Sequence, residues 1–211
     1  MTGAPKPPWL KIRLDTGPDY RMVRGLVRGL TLHTVCEEAR CPNIYECWGD
    51  RTATFMILGD TCTRRCGFCA VTTGHPRAVD SEEPAHVAEA VARLGLEHAV
   101  ITSVDRDDLS DGGAGHFAAV IRAVRQRNPG CDVEVLTPDF RGVARPLEVL
   151  LPEGPVVFSH NVETVPRLYP LARVGSRFER SVDLLRSAIR WRAGAARPLV
   201  KTGLMLGLGE G

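Results

Sequence analysis

Six of the seven cysteines in this 211-residue chain fall between Cys36 and Cys69, in two triplets of uneven spacing. Cys36, Cys41 and Cys47 read C-x4-C-x5-C, and Cys62, Cys66 and Cys69 read C-x3-C-x2-C. The opening, Met1 to Leu14, is rich in proline and lacks the apolar centre of a secretory signal or the Arg- and Ser-rich pattern of a transit peptide. A reducing compartment, the cytoplasm, is therefore the expectation, and clustered thiols there serve metals more often than disulfides. Zinc sites favour two close pairs of ligands, which these triplets do not offer. Iron–sulfur cubes accept thiolates at short loop spacings, and a cube given only three leaves one iron free for another ligand. Both metals stay open from spacing alone. With zinc, the chain is a metal-stabilised structural or binding protein rather than an enzyme.

Composition excludes other classes. The 27 basic and 25 acidic residues give a net charge of +2, so no charge field points to nucleic acid or an anionic membrane. No apolar stretch reaches the length of a membrane span. With 44% hydrophobic residues, the chain has enough apolar material for a packed core.

From about Thr52 onward, short apolar runs alternate with helical patterns, as in βαβ units around a parallel sheet. Expected strands are Thr54–Leu58, His98–Ser103, Asp132–Thr137, Val156–His160 and Leu199–Leu206. A short amphipathic helix is expected near Arg21 to Leu30. Val87, Ala90, Val91 and Leu94 form one apolar helix face, with Gly95 placed as a C-terminal cap. Phe117, Val120, Ile121 and Val124 form a second face. Phe178, Val182, Leu185 and Ile189 form a third, behind a Ser176–Glu179 capping box. The fold class expected is α/β, a partial TIM-type (β/α) barrel with an N-terminal extension. The extension spans 1–51 and the partial barrel 52–211. Ligands of such folds gather at the C-terminal strand ends. The cysteine loop, Thr102-Ser103-Val104-Asp105, Ser159-His160-Asn161-Val162-Glu163 and Gly207-Leu208-Gly209-Glu210 all fall at those ends. His160 reads either as a polar contact or as a buried histidine satisfied by backbone. Cys131, Trp48 and Trp191 read as packing.

The loop Asp60-Thr61-Cys62-Thr63-Arg64-Arg65-Cys66-Gly67-Phe68-Cys69, fed by an apolar strand, resembles the signature of the radical S-adenosylmethionine (SAM) enzymes. In that reading Gly67 lets the loop turn tightly, and Arg64 and Arg65 offset the negative charge of a thiolate-ligated cluster. The resemblance narrows further to the lipoyl synthase family. It is carried by Cys36-Glu37-Glu38-Ala39-Arg40-Cys41-Pro42-Asn43-Ile44-Tyr45-Glu46-Cys47-Trp48, by Val100–Leu109 with Asp111-Gly112-Gly113-Ala114, by His160–Val165, and by Gly203–Glu210. The opening Lys6-Pro7-Pro8-Trp9-Leu10-Lys11 adds to it.

The resemblance implies two [4Fe–4S] clusters and SAM as cofactors. Cys62, Cys66 and Cys69 would hold the cluster whose open iron binds SAM. Cys36, Cys41 and Cys47 would hold an auxiliary cluster that donates sulfur. Thr102, Ser103 and Asp105 are implied contacts of the SAM amino group, Asn161 and Glu163 of its ribose or methionine part, and Glu210, with Gly207 and Gly209, of its adenosine. The implied reaction inserts sulfur at C6 and C8 of an octanoyl group on a carrier lysine. Implied partners are lipoyl carrier domains (2-oxoacid dehydrogenase E2 subunits and the glycine cleavage H protein) and reduced ferredoxin or flavodoxin. Members of the family continue through a sixth strand and an Arg-Ser-Ser-Tyr stretch whose serine ligates the auxiliary cluster. This chain contains no such stretch, and the expectation is a truncated sequence, either a non-catalytic fragment or a competent one.

Overall fold

The computed structural model describes residues 14–191 and 197–210. The proline-rich opening, with its Lys6–Lys11 string, lies outside the described residues. Helix α1 (Pro18–Gly29) starts with proline in its first turn, carries Asp19 near its N-terminus and Arg28 near its C-terminus, and buries Tyr20, Val23, Leu26 and Val27. Strand β1 (His33–Thr34) leads into α2 (Val35–Glu38), capped by Thr34 Oγ1 accepting from the Glu37 N–H at 3.3 Å. Helix α3 (Ile44–Gly49) follows, and Tyr20 of α1 stacks on Tyr45 at 5.5 Å and meets the fully buried Trp48 in a tilted contact at 5.2 Å.

The barrel sheet begins with β2 (Thr54–Ile57). Two short strands, β3 (Thr61–Cys62) and β4 (Arg65–Cys66), lie inside the cysteine loop, and β5 (Thr72–Thr73) closes it. Then come α4 (Glu83–Leu94), β6 (His98–Ser103), α5 (Ala114–Arg127), β7 (Asp132–Leu136), α6 (Arg145–Leu150) and β8 (Val157–Ser159). The single turn α7 (Tyr169–Ala172), β9 (Arg173–Val174), α8 (Phe178–Arg190) and β10 (Leu199–Lys201) complete the order.

The main sheet runs β1-β2-β6-β7-β8-β10, with β1 antiparallel and every later pair parallel. Because this order follows the chain without a reversal, it is singly wound in the barrel manner, whereas a doubly wound sheet reverses at a switch point. The register sets Ile57 beside Ser103, Thr102 beside Leu136, Leu136 beside Ser159, and Ser159 beside Lys201. Their C-terminal ends thus form one rim. One buried core joins α1, α3 and the sheet.

Several elements depart from the sequence reading. Gly95 does cap α4 in the left-handed conformation, at φ +64°. Strand β2 ends at Ile57 because Leu58 turns to φ +70°. Strand β10 stops at Lys201 rather than Leu206, and only a lone bridge from Glu163 to Leu204 continues it. The Ser176–Glu179 capping box does not form. Instead Ser176 Oγ donates to Asp139 Oδ2 at 2.6 Å, and α8 begins one residue later without a side-chain cap. The buried face of α8 is Ser181, Leu184 and Ala188, while Ile189 is exposed. Ser181 is drawn inside by its hydrogen bond to buried His160, which rotates the face away from the apolar stripe.

Candidate active site

The loop from Asp60 to Gly74 is folded by two short ladders rather than by a single turn. Strand β3 pairs with β5, and β4 pairs antiparallel with β9. Backbone bonds reinforce both: Thr63 N–H donates to Asp105 O at 3.0 Å, and Gly67 N–H to Ala172 O at 2.9 Å. Cys62 Sγ accepts two backbone N–H groups, from Asp105 at 3.3 Å and Arg64 at 3.4 Å. Burial, then the nearby Asp105 charge, pushes the Cys62 thiol up to about 11 against those two donors. Burial also raises Cys66, with the Arg173 guanidinium pulling the other way.

Below the loop lies a cavity of about 300 Å³ at the rim of the sheet. Cys62, Cys66 and Cys69 line it together with Thr102, Ser103, Asp105 and Glu163. Asn161 and Glu210 are not among its lining residues. Glu210 instead folds back on its own loop, accepting the N–H groups of Gly207, Leu208 and Gly209. Thr102 Oγ1 donates to Leu136 O at 2.9 Å, whereas the buried Ser103 Oγ has no hydrogen-bond partner. Val35 and Ala39, on either side of Cys36 in sequence, also line the cavity, so the segment that bears Cys36 forms part of its wall, although Cys36, Cys41 and Cys47 are not among the lining residues.

Two arginines change the picture. Arg64, expected to balance the thiolates, is buried and committed to three carboxylates. It binds Asp107 through Nε and Nη2 at 2.7 and 2.8 Å, and Asp139 at 2.6 Å. Its Nη1 lies 3.3 Å from Asp105 Oδ1 but is misaligned, so neither atom completes a hydrogen bond. Burial pushes Asp105 up to about 6, against Arg64 and with the charges of Asp139 and Asp107. Arg65 is exposed. Gly67 is not in the left-handed region, so the turn does not depend on it.

Arg64 and Arg65 line the cavity together with a third cation, Arg173, which the sequence reading did not single out. It is 8% exposed, and its Nη1 donates to Asn161 O at 2.7 Å, Tyr169 Oη at 3.2 Å and Ser181 Oγ at 3.2 Å. Its buried Nε has no hydrogen-bond partner. Behind it, His160 contacts Thr137 O at 2.7 Å and Ser181 Oγ at 2.9 Å. Since the carbonyl only accepts, Nδ1 carries the proton and Nε2 accepts from Ser181. Burial holds His160 down to about 4, keeping it neutral. It is the backbone-satisfied histidine, not a cavity contact.

In the N-terminal triplet Cys36 is buried, and Cys41 and Cys47 are partly so. Burial raises Cys36, while the backbone at Thr54 and the indole of Trp48 favour its thiolate. Trp48 Nε1 is buried and completes no hydrogen bond to the thiol. Burial, then Cys36 and Cys41, raises Cys47, so the three thiols feel one another's charge. Among the described residues, no three His, Cys, Asp or Glu side chains converge on a single metal ion. Both triplets nonetheless present what a thiolate-bound cluster needs. Each has three free thiols, with backbone donors or an unused indole N–H facing sulfur.

Comparison with known proteins agrees with this geometry. The model of the radical SAM superfamily matches residues 56–211, and that of the N-terminal domain of lipoyl synthase matches residues 4–41. The lipoyl synthase of Rubrobacter xylanophilus is 58% identical over 205 residues, covering 97% of this chain and 63% of that protein. Those of Koribacter versatilis and Methylococcus capsulatus are 54% and 55% identical, covering 98% and 99% of this chain. The chain spans 63%, 67% and 65% of the lengths of these three relatives. The crystal structure of methylornithine synthase has a TM-score of 0.56 at 18% identity, covering 94% of this chain and 57% of that one. That likeness supports the barrel-type fold.

Proposed function

The chain belongs to the lipoyl synthase family of the radical SAM superfamily, and from that premise we propose that it carries the catalytic part of a radical SAM sulfurtransferase. The substrate is an octanoyl group on the lysine of a lipoyl carrier domain, and sulfur enters at C6 and C8. The carrying observation is the rim cavity, lined by Cys62, Cys66 and Cys69 and by a second wall from the segment that bears Cys36. When bound, the two clusters and SAM would supply one-electron chemistry at Cys62, Cys66 and Cys69 and sulfur at Cys36, Cys41 and Cys47.

The residues of the chain position and shield. Cys62, Cys66 and Cys69 hold the SAM-binding cluster, with the Asp105 and Arg64 N–H groups donating to Cys62 sulfur. Ser103 Oγ and Arg173 Nε, beside Arg64 Nη1, are unpaired donors on residues that line the cavity, and the first two meet the polar end of SAM, its carboxylate suiting Arg173. Thr102, Asp105 and Glu163 complete that polar wall. Asn161 acts through its carbonyl, which fixes Arg173, and Glu210 through its loop. Met56, Phe68 and Leu136 give an apolar wall that excludes water beside the octanoyl chain. Cys36, Cys41 and Cys47 hold the auxiliary cluster, and the 1–51 extension is its carrier against the 52–211 barrel. Carriers of the E2 and H-protein type, ferredoxin or flavodoxin as reductant, and a cytoplasmic setting complete the proposal. Among the described residues, no helix is long and apolar enough to cross a membrane.

The test is incubation of the reconstituted chain with SAM, a reductant and an octanoylated carrier domain. Formation of 5′-deoxyadenosine with a lipoylated carrier supports the full reading. Deoxyadenosine without sulfur insertion means that this length of chain supports only the first half. Neither product overturns the reading.

A further inference from the structure

We propose that the Asp111-Gly112-Gly113 turn, together with Glu83 and Arg106, is a seat for Leu58 that aims the cysteine loop over the cavity. Leu58 is the last residue before the loop and stands at φ +70°, a region where a branched side chain is strained. The next residue, Gly59, is also left-handed at φ +91°. These two residues reverse the chain from β2 into the loop. Such a conformation persists only where the surroundings over-determine it, and here every part of Leu58 is held.

Its N–H donates to Glu83 Oε2 at 2.8 Å, and its carbonyl accepts from Arg106 Nη1 at 3.3 Å. Glu83 is buried at the start of α4 and meets His116 of α5 at 2.6 Å. Arg106, also buried, is fixed by a fork onto Asp108. The Leu58 side chain enters a space that exists only because residue 113 is glycine: a Cβ there would stand 2.3 Å from Leu58 Cδ1. Gly113 has φ +89°, and Asp111 holds the turn by accepting the Gly113 and Gly115 N–H groups at 2.9 and 2.8 Å. Three separate segments thus converge on one residue that does not line the cavity. Leu58, Gly113, Glu83 and Arg106 are positioning residues: they set where Cys62 begins.

The inference rests on the reading of the rim cavity as the SAM site. The test compares the anaerobically reconstituted chain with Leu58→Ala, Gly113→Ala and the double variant, with Leu150→Ala of α6 as a buried-leucine control. The readouts are iron per chain, melting temperature and the SAM-induced change in the EPR spectrum of the reduced cluster. Leu58→Ala and Gly113→Ala should each keep iron yet weaken the SAM response about tenfold, as displaced binding groups do. The double variant should be no worse than Leu58→Ala alone, because the Cβ added at 113 meets the side chain that Leu58→Ala removes. Leu150→Ala should lose stability and keep the response. In the iron-free chain, amide exchange across residues 58–62 should rise in the two seat variants and not in the control. An unchanged SAM response in Leu58→Ala, or additive losses in the double variant, overturns the seat. A parent chain without any SAM response overturns instead the reading beneath it, and the iron-free exchange then decides the seat on its own.

Discussion

The barrel-rim triplet is cradled by backbone, whereas the N-terminal triplet is held by helical turns and a tryptophan. Cys62 and Cys66 lie in two-residue strands, each paired to a partner strand, and Cys62 sulfur accepts two main-chain N–H groups. Cys36 and Cys47 lie in the short helices α2 and α3, with Cys41 between them and a Trp48 indole nearby. The rim triplet opens on a cavity with an unpaired hydroxyl and an unpaired guanidinium nitrogen. No such pair of unpaired donors accompanies the other triplet among the described residues, and it reaches the cavity through Val35 and Ala39. The difference matches a division of labour. Under the proposed function, a site that binds and orients SAM needs fixed donors, while a site that would give up its sulfur needs only ligands and proximity.

The largest expected effect separates the triplets outright. Cys62→Ala should remove about four of eight irons per chain and all of the SAM-induced EPR change, while Cys36→Ala should lose similar iron and keep that change. Loss of the SAM response in both variants would merge the two sites into one.

Next comes the backbone cradle. Arg64→Ala leaves Asp139, fully buried, and its neighbours uncompensated, at a cost of about 3–5 kcal/mol in denaturant unfolding. A loss below about 1 kcal/mol, the range of surface pairs, would show that the network does not hold the loop.

A third comparison concerns pH. His160 titrates at about 4 in the folded chain against 6.5 ordinarily, so the unfolded chain takes up its proton first. The stability this gives is present above pH 6.5 and is lost as pH falls toward 4, by about 3 kcal/mol in all. Unfolding measured across that window should therefore be less steep with pH in His160→Gln than in the parent. Equal slopes would mean that His160 is not the neutral anchor of the Arg173 wall.

The smallest effect lies at the N-terminal triplet. Trp48→Phe keeps the ring against Tyr20 but removes the unpaired N–H near Cys36. Faster loss of auxiliary iron to a chelator, with rim iron unaffected, is the expected result.

Much of this was legible in the sequence because periodicity and spacing are local. Strand His98–Ser103 and the Gly95 cap fall where the pattern places them, and Cys62, Cys66 and Cys69 line one cavity. What was not legible depends on distant partners. The carboxylates of Arg64 lie 43 and 75 residues away, so a cation between cysteines read as their counter-charge. The α8 face was misassigned because a small polar residue, Ser181, occupies the core through a hydrogen bond that no hydropathy pattern records. Arg173 carried no local signal, since only the pairing of β9 with β4 brings it beside Cys66. Leu58 gave no sign of its left-handed backbone, since only tertiary contacts hold it there.

The central claim is that two separate clusters are bound and that SAM binds only at the rim. It is tested most directly by iron and acid-labile sulfide per chain after anaerobic reconstitution, with EPR of the reduced protein before and after SAM. The account predicts about eight irons and sulfides and a spectral change in one of two cluster signals. Stoichiometric zinc with little iron, or iron whose spectrum ignores SAM, would contradict it.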